Sequence, residues 1–510
     1  MSDIYYEEEA RAKMLKGAET LYKAVRTTLG PKGRNVVIGG YGHVIVTHDG
    51  VTVAKSVEVK DEAENVGAEL IKEASSKLND VAGDGTTTVT VLTYHLLKEA
   101  NELIRKKKVS PMQLSKEVEK ALYGVADYLD KIKRPADDLE TLTKIATLSS
   151  GSEEIGKIVA ETVFNVGEIG TIDVVLDASL ETTSEMTSGY QLDSGWMSRY
   201  MVTDDHTMNA IYENPAIVII DKEINSFREL LPILGQIDQS GTKSAVIIAN
   251  DIKGDALPTM VLNSTKGVFR TLAIKSPSFG KNQREILDDL AIATGATVIS
   301  SDTVSLDKAT IEHIGRAPKV IATSDKTTFM DCTGRIEDRV NHLTEQIKTC
   351  KDDFEKNQLE KRRASLSGKV AIIKVGGQTE SEIDEKKFRV DDAVAATKAA
   401  LKDGILPGGG VTLYFAPVQC NTLGAKLLAS VLKQPFRQLM LNSNINLKVA
   451  EKSIKKGNGK YGINVKTGQY INLIDDGVVD PLIVTKQALA TAVSIGIVGM
   501  TDGVLIVGDK

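Results

Sequence analysis

Cysteine and aromatic residues are scarce in this 510-residue chain. The three cysteines, Cys332, Cys350 and Cys420, are odd in number and widely spaced, which excludes a disulfide framework and a Cys-x-x-Cys metal pair. Aromatic residues make up only 5% of the chain, with a single Trp, so large stacking surfaces for nucleic-acid bases are absent. The N-terminal residues have no apolar core of the kind that a signal peptide needs. We therefore expect a protein of the reducing cytoplasm.

An excess of positive charge is also missing. Lys and Arg number 63 against 69 Asp and Glu, a net charge of −6, which argues against a nucleic-acid partner. The longest uncharged stretch, between Lys486 and Asp502, is shorter than the roughly 20 residues that a membrane-spanning helix requires. It predicts a buried helix, and we expect no membrane partner. The length and the 42% hydrophobic content are typical of a globular chain with about three domains.

The two ends of the chain are rich in helical patterns, whereas its centre is not, which would suit one discontinuous domain built from both ends. Helical spacing spans 7–28, and a β-hairpin with the turn Gly39–Gly42 follows. Further helices are expected at 62–81, 88–106, 425–432 and 436–441. Short apolar runs predict strands of an α/β layer domain at 216–220, 245–249, 271–274 and 297–300. The strongly charged residues 335–365 predict a solvated helical hairpin or coiled segment, not a binding tail.

The strongest local signal is Gly83-Asp84-Gly85-Thr86-Thr87-Thr88, which opens a long predicted helix. Glycines let the backbone approach an anion, and the free N–H groups at a helix start, together with three hydroxyls, can hold a phosphate. Asp84 supplies a carboxylate of the kind that Mg²⁺ prefers. The hexapeptide therefore predicts a nucleotide phosphate site, with an N-capped helix after a glycine turn as the alternative interpretation.

Two other glycine-rich segments match nucleotide motifs only superficially. Gly151 to Lys157 fits G-x-x-x-x-G-K, but Ile158 stands where a Ser or Thr must meet Mg²⁺. Gly457 to Gly462 fits G-x-G-x-x-G, but it follows a helical pattern and opens no helix. No two of the six histidines stand at metal-ligand spacing, and the serine-hydrolase and zinc-protease motifs are absent from the sequence. Carboxylates are the better catalytic candidates.

Several short motifs are individually typical of turns and helix caps, namely Asp49-Gly50, Asp391-Asp392, Gly408-Gly409-Gly410 and Asp480-Pro481. Their order and context are more specific. The segments that carry a resemblance are Thr28-Leu29-Gly30-Pro31-Lys32-Gly33-Arg34-Asn35-Val36, Ala82 to Thr88, Arg389-Val390-Asp391-Asp392-Ala393 and Pro407-Gly408-Gly409-Gly410-Val411. With these motifs the chain resembles a group I chaperonin of the bacterial GroEL type, over essentially its whole length.

The resemblance implies a multi-domain α and α/β architecture, the GroEL-like chaperonin fold. A helical equatorial ATP-binding domain would comprise 1–131 and 403–510. A small intermediate hinge domain would comprise 132–187 and 371–402, and an α/β apical polypeptide-binding domain would comprise 188–370. The change in pattern along the chain agrees with this division.

The resemblance also implies an ATP site with Mg²⁺ and, as a further candidate ion, K⁺. The residues implied in nucleotide binding are Thr28, Leu29, Gly30, Pro31, His48, Gly50, Asp84, Gly85, Thr86, Thr87, Thr88, Gly408, Gly409, Asn464 and Asp480. Among them, Asp84 would also bind the metal. Asp392 and Asp49 would be catalytic, with Asp392 orienting or activating the hydrolytic water. A carboxylate can do this by positioning, since phosphoryl transfer needs alignment and charge compensation more than covalent help.

The chain departs from the family pattern at three positions that bear on ATP affinity and hinge motion. His48 replaces the lysine of Thr-Lys-Asp-Gly, and Gly151 replaces an asparagine. Lys369 replaces a hinge glycine, whereas the paired hinge Gly189 is retained. The strand alternation around His48 leaves open whether its ring faces the phosphates or the solvent.

The resemblance implies an ATP-dependent chaperone that binds non-native polypeptides on an apolar apical rim and encloses them in a homo-oligomeric ring, single or double. A co-chaperonin lid is a candidate partner. The implied polypeptide-binding residues, whose spacing alone equally suits a core, are Trp196, Tyr200, Met201, Leu231, Leu234, Leu257, Val261 and Leu262. The alternative is a chaperonin-fold holdase or assembly scaffold with weak or no ATP turnover, which the three departures favour. A metabolic kinase is a third hypothesis, for which the sequence offers no small-substrate constellation.

Overall fold

The computed structural model describes residues 3–39, 44–168, 170–177, 179–204, 208–332, 334, 336–350, 352–367, 369–419, 421–457 and 459–508. The chain divides into two compact units. The first, which we call the helical unit, comprises Met1–Phe164 and Gln378–Lys510, and the second, the sheet unit, comprises Asn165–Gly377. The division into three domains stays a prediction.

The secondary structure has the following bounds. The helices are α1 (Glu7–Val25), α2 (Gly50–Ser56), α3 (Glu62–Ala82), α4 (Thr86–Lys107), α5 (Pro111–Ile132), α6 (Leu139–Ser150), α7 (Glu153–Val166), α8 (Leu231–Gln239), α9 (Ala256–Thr265), α10 (Gly280–Thr294), α11 (Ile336–Thr349), α12 (Asp353–Ser367), α13 (Glu380–Asp403), α14 (Val411–Phe415), α15 (Leu423–Val431), α16 (Gln434–Asn442), α17 (Leu447–Lys456) and α18 (Leu482–Thr501). The strands are β1 (Asp3–Tyr6), β2 (Val36–Gly39), β3 (Val44–Thr47), β4 (Thr171–Leu176), β5 (Thr183–Leu192), β6 (Ala210–Glu213), β7 (Ala216–Ile224), β8 (Ser244–Ile252), β9 (Arg270–Lys275), β10 (Gly315–Arg316), β11 (Lys319–Ala322), β12 (Thr327–Met330), β13 (Lys369–Val375), β14 (Ile405–Pro407), β15 (Tyr461–Ile463), β16 (Tyr470–Asn472), β17 (Val479–Pro481) and β18 (Val504–Val507).

Helix α3 shows how the local sequence sets the ends of a helix in the helical unit. It begins after Asp61, whose carboxylate accepts a hydrogen bond from the Glu64 amide at 3.0 Å. It ends at Gly83, whose φ of 66° is the left-handed conformation that a glycine cap adopts without strain. Buried apolar residues of α1, α3 and α4 share one core. The helices predicted in the two ends of the chain are confirmed to within a few residues.

Helix α18 has 20 residues and is long and apolar enough to cross a membrane by length and composition alone. Its buried side chains, among them Leu489 and Val493, lie in the core that also contains Leu92 of α4 and Val118 of α5. A helix that is apolar on all sides is typical of the interior of a large helical domain. The predicted buried helix near the C-terminus is therefore confirmed as a core helix of the helical unit.

The described residues of the sheet unit form two larger sheets. One has the order β10-β7-β8-β9, in which β7, β8 and β9 are parallel, as the alternation of strands and helices predicts. The other is mixed, in the order β4-β13-β5-β12-β11-β6. The strand predicted at 297–300 is wrong, because Ile299 forms only an isolated bridge to β7. The Ser300 amide then donates to the Thr303 hydroxyl at 3.2 Å, which turns the chain away from the sheet.

The charged segment 335–365 forms the predicted pair of helices, α11 and α12, but it is not solvated on all sides. Asp289 of α10 is fully buried and accepts hydrogen bonds from Arg362 Nε at 2.6 Å and from Arg339 Nε at 2.7 Å. Arg362 is itself only 5% exposed. Buried charges are tolerated where they are paired and hydrogen-bonded, so this network fastens α11 and α12 to α10.

Gly189 and Lys369, the two positions at which the resemblance implies hinge glycines, lie on the neighbouring strands β5 and β13 of the sheet unit. Gly189 of β5 has no room for a Cβ, because the Phe329 carbonyl oxygen occupies that space. Lys369 of β13 pairs with Ser188 and donates from Nζ to the Asn165 carbonyl at 3.0 Å. A lysine is therefore accommodated in extended backbone at the second position.

Some predicted features lie outside the described residues, namely residues 40–43 of the hairpin turn and Cys420. The strands beside that turn, β2 and β3, pair in antiparallel register with Val36 opposite Thr47, so the predicted hairpin strands are confirmed. Cys332 and Cys350 are free thiols.

Candidate functional site

The segment from Gly83 to Thr88 joins the end of α3 to the start of α4 through two glycines of positive φ. Gly83 has φ 66° and Gly85 has φ 84°, a conformation that other residues adopt only with strain. A Cβ on Gly85 would also meet Val484 Cγ1 at 2.7 Å. Gly85 is the N-cap of α4 and no side chain caps this helix. The structure thus has the N-capped helix after a glycine turn, and the phosphate site at the same helix start stays a prediction. Uncapped first-turn amides at a helix N-terminus suit an anion.

The turn Thr28–Pro31, which we call the phosphate turn, lies against the same helix end. The Thr28 and Thr87 hydroxyl oxygens are 2.9 Å apart, and both side chains are buried. Gly30 has φ 82°, and its carbonyl accepts the Gly33 amide at 2.8 Å, which closes the turn. Two motifs 59 residues apart in the sequence therefore meet through one hydrogen bond.

The start of α2, at Asp49 and Gly50, lies beside Thr87 at the start of α4. The Asp49 carboxylate caps α2, accepting from the Val51 amide at 3.1 Å and the Thr52 amide at 2.8 Å. A Cβ on Gly50 would lie 2.6 Å from Thr87 Oγ1, so only glycine permits this approach. Asp49 therefore has a structural role as a helix cap beside the phosphate turn.

The His48 ring is half-buried between the phosphate turn and α13, not directed to open solvent. Its Cε1 atom lies 2.6 Å from the position of a Cβ on Gly33. Burial lowers the pKa of His48, and the Arg389 guanidinium of α13 lowers it further, so the ring is neutral at physiological pH. Arg389 pairs with Glu385, with 2.6 Å between Nε and Oε1. A permanent cation thus approaches this region from α13, not from the position of the family's lysine.

Helix α13 packs closely against the Gly83–Thr88 segment. The Ala395 side chain of α13 occupies the space that a Cβ on Gly83 would need. Strand β17 approaches from another side, since Asp480 Oδ1 lies 3.0 Å from the position of a Cβ on Gly408. Gly408, Gly409 and Gly410 connect β14, the partner of β17, to α14. Asp392 of α13 and Asp480 of β17 thereby come near Asp84.

Four carboxyl groups of this cluster interact electrostatically, namely those of Asp49, Asp84, Asp392 and Asp480. Burial raises the pKa of Asp392 well above its usual value, and the charges of Asp84, Asp49 and Asp391 raise it further. Burial and then Asp84 raise the pKa of Asp480 to about 7. The pKa of Asp84 is also raised, by burial first and by Asp49, although the Gly85 amide works against this. Burial and mutual repulsion therefore disfavour the ionised forms of these carboxyl groups.

Metal binding by side chains alone does not fit this cluster. Within the described parts of the chain, no three His, Cys, Asp or Glu side chains form a group that could hold a metal ion. Asn464, expected near the nucleotide, directs its side chain to the Lys466 amide (3.0 Å) in the β15–β16 turn and to Asp476 (2.7 Å), which follows β16. Its hydrogen bonds do not connect it to the four carboxylates.

The two segments set aside as superficial nucleotide matches each begin where a helix ends. Gly151 has φ 70° and ends α6, so its replacement of an asparagine keeps a residue type that tolerates this left-handed conformation. Gly457 follows α17, and the segment from it leads into β15 instead of opening a helix.

A model of the TCP-1/cpn60 chaperonin family matches residues 21–498. The chain belongs to this family. Two solved structures of the chaperonin gp146 from the bacteriophage EL 2 (Pseudomonas aeruginosa), in different crystal forms in the presence of ATP-BeFx, are similar to it. The identities are 22% and 23%, each TM-score is 0.71, and 99% of both chains is covered in each case. The chaperonin fold and the resemblance to a group I chaperonin are thereby confirmed.

In the sheet unit of this chaperonin, the residues expected to bind polypeptides fall into three groups. Tyr200, Leu231 and Leu262 are exposed, with 76%, 52% and 50% of their surface accessible. The half-buried members are Trp196, Leu257 and Val261. Met201 and Leu234 are only 2% and 6% exposed and belong to the core, which corrects the expectation for these two. Met201 Sδ accepts the Ala273 amide at 3.2 Å, so its side chain points inward.

Sequence reasoning missed three residues that support the chaperonin's candidate site. Arg389 lies in the Arg389–Ala393 motif, in which the sequence points to the carboxylates Asp391 and Asp392 and not to the arginine. Asn442 and Gln438 lie on α16 and contact the N-terminal part of the chain. No local motif marks them, because their partners are more than 400 residues away.

Proposed function

We propose that this chaperonin is an ATP-dependent molecular chaperone that binds non-native polypeptides, encloses them in a homo-oligomeric ring and promotes their folding through ATP binding and hydrolysis. The observation that carries the proposal is the convergence of the phosphate turn, the Gly83–Thr88 segment and four carboxylates at one place in the helical unit. Backbone amides and hydroxyls there suit phosphates, and the clustered carboxyl groups suit a cation.

The residues present fit ATP with Mg²⁺. Thr28 to Pro31 and Gly85 to Thr88 would bind the phosphates, and His48, Gly50, Gly408, Gly409, Asn464 and Asp480 would complete the nucleotide site. Asp84 would hold Mg²⁺, whose remaining ligands would be phosphate oxygens and water, as is common for this ion. Bound Mg²⁺ compensates the charge of the triphosphate. K⁺ remains a further candidate ion.

Asp392 is the proposed catalytic carboxylate, with Asp49 beside it. Its raised pKa makes the Asp392 carboxylate a better proton acceptor than an ordinary aspartate, as a residue that orients and activates water requires. Asp49 is fixed by its hydrogen bonds to the α2 amides, which keeps its charge in a constant position. Because α13 contributes Asp392, hydrolysis depends on how this helix lies against Gly83.

The proposed client surface lies on the sheet unit and comprises Tyr200, Leu231 and Leu262, with Trp196, Leu257 and Val261 contributing their accessible parts. Exposed aromatic and aliphatic side chains of this size bind apolar segments that a folded protein would bury. Met201 and Leu234 are left out because they are buried. We propose a cytoplasmic location and a co-chaperonin lid as a partner, and no nucleic-acid or membrane partner.

The alternative function is a holdase or assembly scaffold with weak or no ATP turnover. The neutral His48 in place of a permanent cation favours it, whereas the Arg389 guanidinium on α13 favours turnover. The rate of ATP hydrolysis by the purified protein distinguishes the two functions.

The assembly is tested by light-scattering mass and electron micrographs with and without ATP. Rings of several hundred kilodaltons support both chaperonin functions, and a monomer or dimer under all conditions contradicts them. The client surface is tested by replacing Tyr200, Leu231 and Leu262 together with Ser and measuring how well the protein suppresses aggregation of a denatured client. Phe354→Ser, at a position 74% exposed in the same unit, is the matched control. Equal suppression by the triple variant and the control would contradict the surface.

A further inference from the structure

Helix α16 supports the phosphate turn through two side chains. Asn442 Nδ2 donates to the Arg26 carbonyl at 2.8 Å and to the Leu29 carbonyl at 3.0 Å. These carbonyls flank Thr27 and Thr28, so one amide group holds both ends of this short segment. Leu439 of the same helix occupies the space that a Cβ on Gly30 would need. Helix α16 therefore contacts the phosphate turn at Leu29 and Gly30 and the residue Arg26 that precedes it.

Asn442 is the end of a longer chain of hydrogen bonds whose direction is determined by the two carbonyls. Carbonyl oxygens only accept, so Asn442 presents its NH₂ group to them and its Oδ1 to Gln438 Nε2, which donates at 2.7 Å. Gln438 Oε1 then accepts from the Tyr22 hydroxyl at 2.9 Å. The Tyr22 proton is thereby used, so its oxygen accepts from His95 Nε2 at 3.2 Å.

The members of this chain have few alternative partners because most of them are enclosed. Tyr22 and Gln438 are buried, with 6% and 5% of their surface exposed. The Tyr22 ring stacks on Tyr94 with 4.1 Å between the centroids. Burial, assisted by nearby cations, lowers the pKa of His95 to about 4, so its ring is neutral at physiological pH and keeps a single N–H. Because each hydrogen bond of this series can run in only one donor-to-acceptor direction and its members are rigid, the series holds the Asn442 side chain in one orientation.

We infer that Asn442 is a positioning residue for nucleotide binding, which sets the phosphate turn through the Arg26 and Leu29 carbonyls. The inference rests on the proposed ATP function. Asn442 acts through the turn, whose backbone and Thr28 hydroxyl would meet the phosphates. Because Thr28 also contacts Thr87, loosening the turn would disturb the contact with the start of α4 as well.

The test measures the Kd for ATP, the KM and the kcat of the full chain for wild type and three variants: Asn442→Leu, Gln438→Leu and Tyr22→Phe. We expect Asn442→Leu to raise Kd and KM about tenfold with kcat changed less than about twofold, since a contact that acts on binding alone moves KM and not kcat. The effect should be smaller for Gln438→Leu and smallest for Tyr22→Phe. If the three side chains have only a structural role, the Kd for ATP stays unchanged in all three variants. The loss of thermal stability should then be larger for Tyr22→Phe and Gln438→Leu than for Asn442→Leu, because Tyr22 and Gln438 are more deeply buried than Asn442.

Two failures are distinguishable. If the wild-type protein does not bind ATP, the proposed function is overturned, and this inference with it. If the wild type binds ATP and Asn442→Leu binds it equally well, the inference alone is overturned. Should Asn442→Leu not fold, Asn442→Ser carries the same test, since its side chain is too short to reach both carbonyls: a raised Kd supports the inference and a wild-type Kd overturns it.

Discussion

Replacing Asp480 with Asn should stabilise the nucleotide-free chaperonin at alkaline pH. The pKa of Asp480 is raised from 3.8 to about 7, by burial first and then by Asp84. The folded state therefore holds the proton more tightly than the unfolded chain, and stability is lost as the pH rises from about 4 to about 7. The complete difference corresponds to about 4 kcal/mol. Because the side chain is only half-buried in the structure, we expect about 2 kcal/mol.

Chemical denaturation without nucleotide at pH 4 and pH 8 measures this effect. Asn has nearly the same size as Asp and keeps an oxygen that can accept a hydrogen bond from the Gly410 amide. In the wild type this hydrogen bond partly opposes the rise in the pKa of Asp480. The Asp480→Asn variant should match the wild type at pH 4 and exceed it by about 2 kcal/mol in free energy of unfolding at pH 8. Equal stability at pH 8, or a loss at both pH values, would refute the raised pKa of Asp480.

Three further predictions concern other parts of the network. The pKa of His95 is lowered to about 4, so the wild type should lose about 2 kcal/mol more stability than His95→Gln between pH 6.5 and 4, which paired denaturation curves would show. Asp289→Asn should destabilise the sheet unit by about 3 kcal/mol in thermal unfolding, since the buried Arg362 guanidinium loses its fully buried charge partner and keeps only the more exposed Glu285. Gly83→Ala should displace α13 and lower kcat for ATP, whereas Gly124→Ala, which has open space, should not; equal kcat values would contradict this.

Local patterns were sufficient for the helices that the sequence analysis predicted in the two ends of the chain. Helix α3 begins at Asp61 and ends at Gly83 because both caps are formed by neighbouring residues. The phosphate turn and the Gly83–Thr88 segment likewise combine glycines and hydroxyls in short motifs. Strand 297–300 was predicted wrongly because a run of β-branched residues does not show whether a partner strand is available.

Contacts between distant parts of the chain were not predictable from local patterns. The Tyr22–Gln438 hydrogen bond joins residues 416 positions apart. The charge pattern of 335–365 suggested a solvated surface, yet Arg362 is buried because Asp289, on another helix, neutralises it. The apolar spacing around Met201 and Leu234 is the same for a core and for a client surface, so only the packing assigns these two side chains to the core.

The central claim is that Asp392, carried by α13, activates hydrolysis at an ATP site built by the helical unit. Steady-state ATP hydrolysis and equilibrium ATP binding, measured on the same preparations of wild type and Asp392→Ala, test it most directly. The account predicts hydrolysis by the wild type and a loss of about 10²–10⁴-fold in the variant, because positioned proton transfer contributes that much, with ATP affinity nearly unchanged. Equal hydrolysis rates for the two proteins, or no hydrolysis by the wild type, would contradict it.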